Sequence, residues 1–257
     1  MACSRRLRIN LIHDQAPDAI RMRTRIIADT QQIFLFLARH LEVDNLRQVY
    51  LDLRLLPTLA AFEAYRNQFA PKLDTNSGFY SSKRNEAVVR MRSGRHGDGR
   101  TLKVVRHETS HLIAAALFGR LPKWLDEGLA EYFERLDVEG QAKIIRPSGY
   151  YLKTLRRHLR SGTLPELQRH LRLSRKQWLR LDQDLSYGIA WSLVYYLMTE
   201  PRGRHLLAQL LDAKAARRCR HFDTSEYIDR HYPGGIAGLD QLWRNWLGKS
   251  DPPGLYF

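Results

Sequence analysis

Residues 104–119 read VVRHETSHLIAAALFG, and after a short turn residues 124–134 read WLDEGLAEYFE. The first segment carries His107-Glu108-Thr109-Ser110-His111, an HExxH pattern. Side chains four apart on an α-helix stand one above the other, so His107 and His111 can aim both imidazoles at a single cation. Glu108, beside the first histidine, reaches water at that cation without ligating it. A hydrolytic zinc site takes three protein ligands and keeps one position open, so a third donor is expected downstream, with Glu127 the best candidate. The same helix also admits a plainer reading, in which two histidines are satisfied core residues.

The flanks favour a buried helix. Val104, Val105, Leu112 and Ile113 surround the motif, and Thr109 and Ser110 inside it are uncharged. A helix that is apolar almost all round sits in a core, where paired histidines need a partner such as a metal. Gly119 and Pro122 supply a stop and a turn, so a second helix begins at Lys123 or Trp124 and folds back. On it Glu127 and Glu131 share a face; one can ligate while the other hydrogen-bonds the far nitrogen of a ligand histidine. Asp126, the rival ligand, lies roughly 100° round the helix and has no acidic residue one turn on. The metzincin pattern HExxHxxGxxH is excluded, because Ala114 and Leu117 occupy the glycine and third-histidine positions.

HETSH followed by PKWLDEGLAEYFE resembles the gluzincin metallopeptidases, in particular the bacterial peptidase MA-like domains, whose second motif reads P-x-W-L-x-E-G-x-A-E-Y. The resemblance extends to the hairpin before the motif helix and, more loosely, to the later helices, including SYGIAWSLVYYL at 186–197. It implies one zinc ion on His107, His111 and Glu127, Glu108 as the catalytic carboxylate, and Glu131 as the residue behind a ligand histidine. The interval between His111 and Glu127 is short for gluzincins. The resemblance also implies an antiparallel edge strand that grips extended substrate through its main chain, placed near Ala87–Met91 and so including Ala87, Val88 and Val89. Tyr187 is the candidate donor to an oxyanion, with Tyr150 and Tyr151 behind it. Trp191 and Tyr195 read as core.

The expected fold is α+β: a zincin-like N-terminal lobe over 1–135 with a small mixed sheet and the HExxH helix, then a mainly helical lobe over 146–257, with substrate held between them. Helical periodicity runs from Ala16 to about Leu41 on Ile20, Ile26, Ile27, Ile33, Phe34 and Leu37. QVYLDLRLL, 48–56, alternates as a strand. Pro57 and Thr58 open a helix with Leu59, Phe62, Tyr65 and Phe69 on one side, and residues 76–94 form a hairpin turning at Lys83 to Asn85. Ser93–Arg100 reads as a glycine-rich loop. Residues 135–148 look irregular apart from a short strand at AKIIR, and the chain beyond reads as helical to its end.

At 257 residues and 44% hydrophobic, the chain can bury a full core. Its most apolar run, IFLFLA at 33–38, is too short to span a bilayer, so no transmembrane segment is expected. MACSRRLRINLIHD lacks the apolar core of a signal peptide, and two cysteines, Cys3 and Cys219, make no disulfide framework; the cytoplasm is the expected compartment, with export left to a start further upstream. Much of the net charge of +15 lies after residue 145, in RRHLR, RHLRLSRK and KAARRCRH. Such a field attracts nucleic acid, anionic lipid surfaces or acidic protein partners. Two function classes follow: a zinc peptidase acting on peptide or protein substrates, or a non-catalytic zinc-stabilised module that uses its basic helices to bind nucleic acid or an acidic partner.

Overall fold

The computed structural model describes residues 7–13, 17–39, 49–94, 96–139, 142–217 and 222–256. Cys3, Cys219 and the end of the basic run at 214–221 lie outside them. The protein is mixed α and β, mainly helical with small sheets. It packs as two compact units, one ending at Leu117 and the other beginning at Phe118.

The first unit runs β1 (Leu7–His13), α1 (Pro17–Arg39), β2 (Val49–Leu56), α2 (Leu59–Phe69), β3 (Gly78–Ser81), β4 (Glu86–Arg90) and α3 (Gly97–Phe118). Its sheet has the order β1-β2-β4-β3, with β1, β2 and β4 parallel and β3 antiparallel at one edge. Strand β2 alternates, with Val49, Leu51, Leu53 and Leu55 buried and Tyr50 exposed. Leu53 pairs with Leu11 on one side and Ala87 on the other.

Two sequence expectations change here. Ala87, Val88 and Val89 do not form an edge: β4 is paired with β2 and β3, and all three side chains are wholly buried. The open strand is β3, the polar-rich half of the same hairpin, whose partner strand is too apolar to face water. Ile20 is 55% exposed, because the buried face of α1 follows Ala19, Met22, Ile26, Thr30, Ile33 and Leu37 instead. In α2 only Phe62 is buried, packing edge-on against Phe79 at 5.8 Å. The hairpin turns at Asn85, whose left-handed backbone (φ 52°) an asparagine tolerates. The glycine-rich segment is loop only at its start, since α3 begins at Gly97, where the Thr101 hydroxyl accepts from Arg92 N and donates to Gly97 O.

The second unit comprises α4 (Lys123–Glu134), β5 (Leu136–Glu139), β6 (Ala142–Ile145), α5 (Gly149–Arg160), α6 (Leu167–Leu171), α7 (Arg175–Trp178), α8 (Gln183–Thr199), α9 (Pro201–Ala216), α10 (Thr224–His231), α11 (Gly235–Leu247) and β7 (Leu255–Tyr256). Helix α8 is buried on nearly every side and packs on α4, α5 and α9. The division between units falls at the end of α3, ahead of residue 135, and α4 belongs with α8. Gly128 makes this possible: a Cβ there would come within 2.6 Å of Ala190 O and 2.7 Å of Val194 Cγ2. Strands β5, β6 and β7 form an antiparallel sheet, so the region after Glu134 is more regular than its polar sequence suggested, and the described residues end on a strand. A two-residue strand carries no readable period and exists only because β6 offers it partners. Among the described residues, no helix is long and apolar enough to cross a membrane.

Candidate metal centre

Helix α3 is fixed in its unit by charge as well as by packing. Buried Arg106 donates to Asp29 Oδ2 from Nε at 2.8 Å, and Arg25 donates to Oδ1 of the same carboxylate at 2.8 Å. Near the start of α3, Asp98 accepts from Arg21 at 2.8 Å. Both ties run from α1, so the rotation of α3 about its axis is held at two levels. The two hydroxyls inside the motif bond backward along the helix, Thr109 to Val105 O at 2.7 Å and Ser110 to Arg106 O at 2.6 Å, which satisfies them in an apolar setting.

On this framework His107 is half-buried and His111 is buried, with their Nε2 atoms 3.3 Å apart and the rings nearly perpendicular at 77°. A metal with tetrahedral bonds of about 2.0–2.1 Å would place neighbouring ligand atoms about 3.3 Å apart. The pair therefore has the separation that one zinc-sized ion requires. Glu108, also buried, lies beside the open strand. Gly78 of β3 comes so close that a Cβ there would be 2.5 Å from Val104 Cγ1 and 3.1 Å from Glu108 Cγ. Sequence reading passed over Gly78, whose only signal was a glycine at the start of a strand.

On α4, Glu127 and Glu131 are both buried. Glu127 Oε1 accepts from Lys123 Nζ at 2.5 Å, and the same ammonium stands 3.5 Å from Asp126 Oδ2. Burial acts to lower the Lys123 pKa and Arg175 adds to that, but the Glu127 and Asp126 carboxylates outweigh both and raise it. Glu131 is hydrogen-bonded by Tyr151 and lies 3.9 Å from Arg135, whose guanidinium sits 5.4 Å over the Tyr151 ring. Burial, then the Glu131 charge and hydrogen bond, push the Tyr151 phenol well above its usual range. Tyr151 reaches this position from the first turn of α5, which Ser148 caps, and Gly188 leaves space for its ring. Tyr187 is half-buried, with its ring 5.9 Å from that of Trp178. Tyr150 is exposed and donates to Asp184.

Among the described residues, two sets of side chains offer ligand atoms suited to one metal ion: His107, His111 and Glu127, and His107, Glu131 and Glu134. Two neutral imidazoles and one carboxylate are the donor types of hydrolytic zinc, and two imidazole nitrogens at 3.3 Å are poorly placed without a cation or proton to share. The residues present fit the group.

Over residues 101–219, which take in both motifs and Tyr187, the chain is similar to a family described as a protein of unknown function (DUF1570). No curated protein matches the chain.

Proposed function

We propose that the protein is a zinc-dependent peptidase of the gluzincin type, with His107, His111 and Glu127 as ligands and Glu108 as general base and acid. The observation that carries the reading is the 3.3 Å separation of the two Nε2 atoms on a helix that also carries a buried glutamate between them. Zinc at that place supplies a Lewis acid that polarises a peptide carbonyl and makes water acidic. A Glu108 carboxylate oxygen takes the proton of the attacking water and then delivers it to the nitrogen of the leaving amine. Glu131, held by Tyr151 and Arg135, orients a ligand imidazole through its far nitrogen.

Three parallel strands, an antiparallel edge strand and an HExxH helix agree with a zincin-like first unit. The extended substrate lies along β3, where main-chain pairing is open and Gly78 brings the strand to Glu108. Tyr187 remains the candidate for the oxyanion, and the cytoplasm the proposed compartment.

The test is hydrolysis of a mixed quenched-fluorescent peptide set by zinc-loaded protein. Glu108→Gln should retain one zinc and lose about 10²–10⁴-fold in rate. Unchanged hydrolysis in that variant overturns the assignment. Salt-sensitive DNA binding by a zinc-loaded chain that cleaves nothing would instead favour the binding module built on the basic helices.

A further inference from the structure

Lys123 is the first residue of α4, one turn before Glu127. Helix energetics give no reason for a lysine there. The N-terminal end of a helix carries partial positive charge, which disfavours a cation, and Lys four residues before Glu is the weaker of the two orders for a helical ion pair. Nor is it a solvated surface pair: the Lys123 side chain is 18% exposed and that of Glu127 5%. Placing both charges out of water is costly unless the geometry between them is good, and the 2.5 Å contact is short and charge-assisted. Asp126, the rival ligand, faces the same ammonium at 3.5 Å.

We propose that Lys123 is a positioning residue for the metal ligand Glu127. Its ammonium takes Oε1, so the metal receives the carboxylate through Oε2 alone, and Asp126 is drawn to the lysine instead of to the ion. The consequence is chemical. A carboxylate gripping zinc with both oxygens would use the coordination position that a hydrolytic site must keep open, and a carboxylate fixed by a second partner arrives already oriented. This inference rests on the zinc reading above.

The experiment compares wild type, Lys123→Met, Lys123→Arg, Lys123→Gln and Glu127→Gln by chelator competition for zinc and by the visible spectrum of the cobalt-substituted protein. Lys123→Met should bind zinc about 10–100-fold more weakly. Its cobalt bands should weaken as the released carboxylate raises the coordination number. Lys123→Arg, which keeps a cation, should restore both readouts to near wild type, and Lys123→Gln should fall between. Thermal unfolding of the metal-free proteins separates this from a folding defect; if the methionine variant does not fold, the arginine and glutamine variants carry the comparison. Wild-type affinity and spectrum in Lys123→Met, or tighter zinc binding, would overturn the role of Lys123 while leaving the site intact. If the wild type takes up no stoichiometric zinc, or Glu127→Gln binds as well as wild type, it is the zinc reading that fails.

Discussion

His107 Nε2 lies 3.3 Å from His111 Nε2, the separation of two ligand atoms on one tetrahedral ion. Binding to the folded state alone stabilises it by about 4 kcal/mol when free zinc is a thousandfold above its dissociation constant. Zinc should therefore raise the unfolding temperature of the wild type, and a chelator should reverse the rise. In His111→Gln the zinc-dependent part of the melting curve should vanish. A melting temperature indifferent to zinc in the wild type would contradict the site.

Gly78 should tolerate no side chain. An added methyl meets Val104 Cγ1 at 2.5 Å and crowds Glu108 Cγ and Val88 O at 3.1 Å, and overpacking of this kind costs about 1–3 kcal/mol. Urea unfolding of Gly78→Ala should show that loss. Removing the obstacle in Gly78→Ala/Val104→Ala should recover part of it, whereas purely additive losses would show that the close approach is unimportant.

The Asp29–Arg106 pair is buried on both sides, so removing one partner strands the other charge. Asp29→Ala should cost about 3–5 kcal/mol, and replacing both residues by leucine should cost less than the single change. Equal stability of Asp29→Ala and wild type in urea would show that water satisfies Arg106 without the carboxylate.

His170 gives the second unit an acid sensitivity. It is buried against Trp178, its Nε2 has no hydrogen-bond partner among the described residues, and burial lowers its pKa to about 4. Unfolding restores the ordinary value of about 6.5, so the unfolded chain binds the proton first as pH falls. Stability from the neutral ring is complete above that value and declines as pH drops toward 4, by about 2 kcal/mol between pH 8 and pH 5. His170→Leu should remove this part of the pH dependence of urea unfolding; the same slope in variant and wild type would refute it.

The candidate site is proposed largely from signals that are local. Histidines four apart, the glycine and proline between two apolar periods, and glutamates four apart on the second helix are properties of one stretch of backbone. The burial of Glu108, His111, Glu127 and Glu131 agrees with them. The partners of those groups were not legible. Tyr151 bonds Glu131, and among twelve tyrosines nothing along the chain distinguishes it. Nothing along the chain marks Lys123 beyond its place at a helix start.

The sequence by itself determined α1, β2, α2, the hairpin at 78–90, and the faces on which the motif residues stand, since periods of 3.6 and 2 need no distant contact. Tertiary structure alone decided which strand of that hairpin is the edge, that α4 packs with α8, and that the last residues pair with β6. Strand order and helix pairing depend on which apolar surfaces cover one another across the chain. Ala87–Val89 had the composition of a buried strand all along, but only a neighbour on each side made it one.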